Sequence, residues 1–463
     1  MRQKRARHIS TGRILFAIIV VLGLLASACG NGDDADPTSD GGQLVDTAEP
    51  TASPTSPEAD ATPTETGMVG GEWERIGPPA LADTEAEAFV DGINAFAFDF
   101  YQFVIGQQDG NLIYSPASID LAFSMVYAGA RTETEAQMAE VLGFLPQAEQ
   151  HPAANALDGH LNALGDDPPE SGGEGEPFQL SIANATWAQE GYPFEEAFLQ
   201  TLAEHYGAGM QVVDFVNEFE AARQLINEWI AERTEGRIED AVPEGAIDSD
   251  TVLVLANAIY FKAGWLFPFD ADATADDAFT LLDGSEVTVP MMHHRAARVP
   301  YAEGDGYQAI ALPYTGQNVE MRIVVPDAGR FEEIEGNLSP EFLAQALAGA
   351  ETYDVNLRMP KFDFKTDLDL TEILPEMGMP DPFGPADFSG MSSGGLFIGE
   401  AIHSATIAVD EKGTEASAVT VIAMEESAMQ PAEVTLDRPF IFAIRDTETG
   451  AILFMGRVLN PAG

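Results

Sequence analysis

The run Val252-Leu-Val-Leu-Ala-Asn257-Ala-Ile-Tyr260-Phe261 constrains the fold most, because it is apolar at successive rather than alternate positions. In an extended chain, neighbouring side chains point to opposite faces, so both faces of this segment have to be covered. It predicts a strand buried on both sides. Asn257 is the one amide in the run, and burying it without partners would cost several kilocalories per mole, so it needs hydrogen-bonding groups beside it. Other segments carry different periods. Phe89, Ile93, Phe96, Ala97, Phe100 and Val104 recur at spacings of three and four, the pattern of an amphipathic helix. Ile182 to Gln189 reads as a strand, and Ile226 to Ile238 as a helix that exits at Gly236. Gly165 to Pro177 is acidic and glycine-rich, as expected of a surface insertion.

Charge and cysteine usage exclude several function classes. The 463 residues hold 22 Lys and Arg against 76 Asp and Glu, a net charge of −54. Such a surface repels nucleic acid and anionic lipid headgroups. Cys29 is the single cysteine, so an intramolecular disulfide, a resident thiol catalyst or a cysteine-rich metal site is not expected. Five of the basic residues, Arg2, Lys4, Arg5, Arg7 and Arg13, precede an apolar run from Ile14 to Leu25 and then Ala26-Ser-Ala-Cys29. This is the layout of a secretory signal. The box before Cys29 resembles the bacterial lipoprotein cleavage site, with Ala26 where leucine is commoner. The other reading is an uncleaved anchor, for which the apolar run is short. Residues 1–29 are therefore expected to be a signal peptide ending at a lipidated Cys29. Residues 30–80, rich in Asp, Thr, Ser, Pro, Gly and Glu, are expected to be a disordered tether.

Near the other end, Asp410 to Pro431 is built of small, mostly uncharged residues. With a period of two, Thr414, Ala416, Ala418, Thr420 and Ile422 share one face, and Glu415, Ser417, Val419 and Val421 the other. It reads either as an edge strand running into a surface loop or as a loop that becomes a strand later. Ile407-Ala-Val-Asp-Glu411-Lys-Gly-Thr-Glu-Ala-Ser-Ala418 resembles the hinge of the serpins, inhibitors that trap a serine protease by inserting a cleaved loop into a sheet. Asp437-Arg-Pro-Phe440-Ile-Phe442 and Phe454-Met-Gly-Arg-Val-Leu-Asn-Pro461 resemble the strands that follow that loop. Asn111-Leu-Ile-Tyr-Ser115-Pro-Ala-Ser118, Leu312-Pro-Tyr314 and Met359-Pro-Lys361-Phe also resemble serpin segments. The resemblance spans about residues 81–463, which are taken as one domain.

The resemblance implies an α+β fold with a large mixed central sheet, two smaller sheets and eight or nine helices. Ser115, Ser118, Asn257 and His403 match the serpin shutter, a polar cluster behind the middle of the main sheet. Trp265, Lys361 and Glu411 match the breach, where the loop first enters. The hinge would be Glu411, Gly413, Thr414, Glu415, Ala416, Ser417 and Ala418. The reactive bond would be Ser427–Ala428 or Ala428–Met429, with a small residue before the cut. The implied partner is a serine protease with a small apolar primary pocket, elastase-like or subtilisin-like. The protein would be an inhibitor rather than an enzyme, a monomer without cofactor or metal, exported, and held at the outer face of a bacterial membrane or secreted. The alternative is a non-inhibitory serpin-fold protein with a binding or structural role. Gly390-Met-Ser392-Ser-Gly394 fits the hydrolase nucleophile elbow, but loop-like residues precede it where that elbow needs a strand. His293-His294 lacks a carboxylate at a useful spacing for a metal, and Asn184-Ala-Thr186 and Asn337-Leu-Ser339 fit the glycan acceptor pattern.

Overall fold

A computed structural model describes residues 67–69, 73–164, 179–207, 209–414 and 432–463. The expected signal peptide with Cys29, most of the tether, hinge residues Glu415 to Ala418 and the reactive bond at Ser427 to Met429 lie outside the described residues.

Seven strands build the first sheet: β1 (Gly67–Val69), β3 (Gln179–Gln189), β4 (Met210–Val213), β5 (Leu253–Gly264), β11 (Phe362–Asp369), β12 (Glu400–Val409) and β13 (Gly413–Thr414). They lie in the order β1-β4-β3-β5-β13-β12-β11, and the sheet is mixed. The doubly apolar run is β5, at its centre. Nine strands form the second sheet: β2 (Leu112–Tyr114), β6 (Ala275–Thr280), β7 (Glu286–Gly304), β8 (Tyr307–Pro313), β9 (Val319–Pro326), β10 (Glu351–Pro360), β14 (Ala432–Thr435), β15 (Phe440–Asp446) and β16 (Ile452–Val458). Two smaller sheets were expected. They run into one another through the long β7, which pairs with β6 along its first half and with β8 at its far end.

Nine α-helices occur among the described residues: α1 (Asp83–Val104), α2 (Pro116–Tyr127), α3 (Thr132–Leu142), α4 (Gln147–Ala163), α5 (Glu196–Thr201), α6 (Phe215–Arg233), α7 (Phe331–Glu335), α8 (Pro340–Ala346) and α9 (Leu370–Glu376). Two of them explain the double burial of β5. On the outer face, Val254, Ala256 and Ala258 pack with Ile402 of β12 against Ala222, Ile226 and Ile230 of α6. The inner face meets α2, all twelve of whose residues are buried. A helix without a polar face can only be a core helix. Further along, Ile259, Phe261, Ala405 and Ile407 pack against Ile310, Ile323 and Phe442 of the second sheet.

The body also begins before residue 81, the boundary expected from the sequence. Gly67–Val69 adds a strand antiparallel to β4 at the edge of the first sheet. Beyond it, the Arg75 guanidinium donates to Asn155 Oδ1 at 2.8 Å and pairs with Asp158 at 2.5 Å, both on α4. Ile76 N–H donates to the Glu204 carbonyl. Three strand residues, with Met68 largely exposed, leave no hydrophobic period to read.

Replacing Arg75 with Ala should lower the free energy of unfolding by about 1 kcal/mol, since a partly exposed pair and its hydrogen bonds are lost together. Arg75→Lys should recover only part, because an ammonium lacks the planar fork that reaches both partners. Denaturant midpoints of the three proteins measure this, and three equal midpoints would show that the docking contributes nothing.

Candidate functional site

The centre of the site is where β5 and β12 meet. These strands pair directly and in parallel from Val254 to Ile259 and from Glu400 to Ala405, with His403 beside Asn257. On the other side of β5, Asn184 of β3 is the register partner of Asn257. Three polar side chains thus stand in a row across three neighbouring strands, on the face toward α2.

Their hydrogen bonds close on one another. Asn257 Nδ2 donates to the Ser118 carbonyl at 2.8 Å, to Ser118 Oγ at 2.7 Å and to Asn184 Oδ1. Asn184 Nδ2 donates to the same Ser118 carbonyl at 3.3 Å. Ser115 begins α2: its Oγ accepts the Ser118 N–H, Pro116 follows at the first helical position, and its own N–H donates to His403 Nε2 at 3.0 Å. An amide N–H can only donate, so Nε2 carries no proton and the imidazole proton sits on Nδ1, directed at Asn257 Oδ1. His403 is fully buried, and burial pushes its pKa down to about 3. The structure therefore brings Ser115, Ser118, Asn257 and His403 together. It adds Asn184, which the sequence suggested only as a glycan acceptor.

Above this row the strands are parted. Gly413 and Thr414, as β13, pair with Gly264 and Ala263 of β5, and Thr414 pairs with Val409 of β12. A Cβ on Gly413 would lie 2.1 Å from the Ala263 carbonyl oxygen and 2.7 Å from Gly264 Cα, so only glycine approaches β5 this closely. Thr414 is buried, and its Oγ1 lies 2.9 Å from the Tyr314 hydroxyl. Tyr314 stacks on Trp265 with ring centroids 4.5 Å apart.

Trp265 holds the approach to β13 twice, its N–H donating to the Lys412 carbonyl at 2.8 Å and its indole N–H to the Asp410 carbonyl at 3.1 Å. Glu411 takes the Thr274 hydroxyl at 2.7 Å and the Lys361 ammonium at 2.5 Å. Burial opposes ionisation of Glu411, but the ammonium and the hydroxyl outweigh it and hold its carboxyl below the usual carboxylate range. Trp265, Lys361 and Glu411 thus meet at one end of the first sheet. Tyr314 and Thr274 join them without having been singled out in the sequence as members of the site.

Other candidates resolve differently. Ser392 Oγ donates to the Pro193 carbonyl and accepts the Gly394 N–H, a turn rather than a strand-to-helix elbow. His293 Nε2 lies 2.5 Å from Asn356 Oδ1, and the His294 ring meets Phe269 edge-on. Among the described residues, no group of three or more His, Cys, Asp or Glu side chains could hold a metal.

Comparison with known proteins agrees with this geometry. The family profile described as Serpin (serine protease inhibitor) matches residues 91–461. An uncharacterised serpin-like protein of Thermococcus kodakarensis is 41% identical over 387 residues, covering 82% of this chain and 88% of its own length. The leukocyte elastase inhibitor of Sus scrofa is 36% identical over 368 residues, covering 76% of this chain and 93% of its own. Among solved structures, the native state of the thermophilic serpin tengpin matches with a TM-score of 0.73 at 27% identity, over 86% of this chain and all of that one.

The tautomer of His403 makes this hydrogen-bonded cluster, a lock between β5 and β12, sensitive to acid. Its folded-state pKa lies below the ordinary 6.5, so its contribution to stability is complete above that value and is lost as pH falls toward 3. Protonation at Nε2 would set two N–H groups against each other at Ser115. Between pH 7.5 and 4.5 the wild type should lose more stability than His403→Gln, approaching a slope of about 1.4 kcal/mol per pH unit for the one proton. Denaturant unfolding across that range measures both slopes, and equal slopes would remove His403 from the account.

Proposed function

The chain belongs to the serpin family, and on that footing we propose that it inhibits a serine protease by suicide cleavage of the loop between Thr414 and Ala432, followed by insertion of that loop between β5 and β12. One observation carries this reading: β13 already lies between those strands, while below it they still pair directly. Each further inserted residue would trade part of that direct pairing for hydrogen bonds to both neighbours, and would bury a small side chain.

The register supports the path. Thr414 faces Ala263 and Val409, so continued insertion brings Ala416 opposite Phe261 and Ile407, Ala418 opposite Ile259 and Ala405, and Thr420 opposite Asn257 and His403. The last step separates the pair that closes the lock. A threonine hydroxyl both donates and accepts, so it can take the His403 Nδ1 proton and serve Asn257 Oδ1 in place of the broken bond.

The small residues around Ser427 and Ala428 suit a protease with a small apolar primary pocket, elastase-like or subtilisin-like. Incubated with such an enzyme, the soluble domain should form a complex stable to detergent and release a C-terminal peptide cut after Ser427 or Ala428. Thr414→Arg would bury an unpaired guanidinium and should turn the inhibitor into a substrate, with cleavage continuing but no stable complex. Thr420→Val should shift the partition the same way more weakly, since it leaves two buried groups unsatisfied at about 1–3 kcal/mol each. Cleaved wild type should melt far above intact protein. If the two melted together, the loop would not be inserting, and a non-inhibitory role would replace this one.

The same reading makes the protein an exported lipoprotein, attached at Cys29 and spaced from the membrane by the segment before the folded body. Cys29→Ser should move the protein from the membrane fraction into the medium. Unchanged fractionation would remove the lipid anchor and leave the inhibitor reading intact.

A further inference from the structure

At the end of the second sheet, three connections line an open cleft of about 350 Å3: the β6–β7 turn, the segment from β9 into α7, and the link from β14 to β15. That volume is at the lower end of small-molecule sites. Its walls include Leu281, Phe331 and Pro439, and Leu282 stands at it half exposed. The single basic side chain of the lining, Arg438, is already engaged. Its Nε donates to the Pro326 carbonyl at 2.8 Å and its Nη1 to Asp437 at 2.6 Å. The other two carboxylates of the lining, Asp327 and Glu332, are exposed and make no ion pair among the described residues. Nearby Arg330 is turned away, to Asp305 and Glu333.

We infer that this cleft is a binding site for a small organic amine, its apolar body against Phe331 and Leu282 and its ammonium between Asp327 and Glu332. A neutral apolar ligand would leave the carboxylates unused. An anion would meet them unshielded, because the guanidinium is spent on Asp437. The position gives the site a consequence. Thr280 N–H donates to the Asp437 carbonyl at 2.8 Å, and Leu436 N–H to the Arg358 carbonyl at 2.9 Å. These bonds fasten the end of β14, which among the described residues is an edge strand paired only with β10 and is the first element after the loop. A ligand bridging the three connections would hold β14 more firmly in its place.

Phenethylamine and phenylacetate, similar in shape and opposite in charge, serve as probes against the soluble domain. Calorimetric titration at moderate salt should show saturable binding of phenethylamine, and binding of phenylacetate at least tenfold weaker. Asp327→Asn with Glu332→Gln should weaken the amine at least tenfold. Ala328→Trp, which fills the mouth from an exposed position, should abolish binding while the fold, checked by circular dichroism, is unchanged. Saturating amine should also slow amide exchange in Ala432–Thr435. The inference is overturned if the amine response does not saturate, if both variants retain it, or if phenylacetate binds equally well. The first two outcomes would mean diffuse attraction to an acidic surface.

Discussion

Where β5 pairs with β12, one imidazole in one tautomer ties both strands to the start of α2. His403 receives the Ser115 N–H on one nitrogen and offers its proton to Asn257 on the other, joining the start of α2 to both strands. The first amides of a helix have no partner within it. Here Ser115 Oγ answers one of them, and the N–H of Ser115 itself is answered by a strand. In a buried site each of these groups is costly to leave unpaired and modest in net gain when paired. Such a lock is firm against random opening. On the proposed mechanism, a group that replaces its bonds one for one would open it, which a purely apolar contact between the strands would not allow.

At the other end of the same strands Gly413 and Thr414 lie between them, held in place on several sides. Trp265 fixes Asp410 and Lys412 through their carbonyls, Phe269 N–H fixes Glu411, and Gly413 passes against β5 where a side chain would collide. Asp410 folds back to accept the Lys412 and Gly413 N–H groups, which sets the turn. The Lys361–Glu411 pair is unevenly exposed, at 36% and 11% of the side chains, so losing the lysine would leave the carboxylate more stranded than the reverse. Thr414 then enters with its hydroxyl on Tyr314. Entry and lock lie on the same pair of strands, six residues apart along β5 from Ala263 to Asn257.

Much of this was legible because burial leaves its mark on composition. The unbroken apolar run gave away β5, and its lone amide called for partners that the structure supplies from Ser118 and Asn184. The helical period of Phe89 to Val104 is α1. What stayed hidden has physical reasons too. Asn184 sits in an alternating strand where one amide looks like any other until β3 and β5 are put in register. Tyr314 serves through a stack and one hydroxyl, neither of which has a spacing. β1 is three residues long and borrows its order from the edge of β4. The continuity of the second sheet through β7 depends on where one strand changes partners, and no local pattern encodes that.

Extreme negative charge and insertion into a sheet would conflict in most arrangements. With 76 acidic residues, any segment chosen blindly would carry carboxylates into the core. The period of two prevents it here. Thr414 sets the parity of the segment, and every second residue from it through Met424 is uncharged, with Glu426 the first carboxylate to share that parity. By the same period Glu415 shares the other face of the segment with Ser417, Val419 and Val421. The same alternation holds on the receiving strand: Ala405, Ile407 and Val409 face inward with the core, and charged neighbours such as Asp363 and Asp367 of β11 are exposed. The carboxylates of β11 thus stay in water, where salt screens them, and buried Glu411 is held by Lys361 and Thr274 instead. The interior that an incoming strand would meet, lined by Ile259, Phe261 and Ile407, is apolar and leaves room only for small side chains.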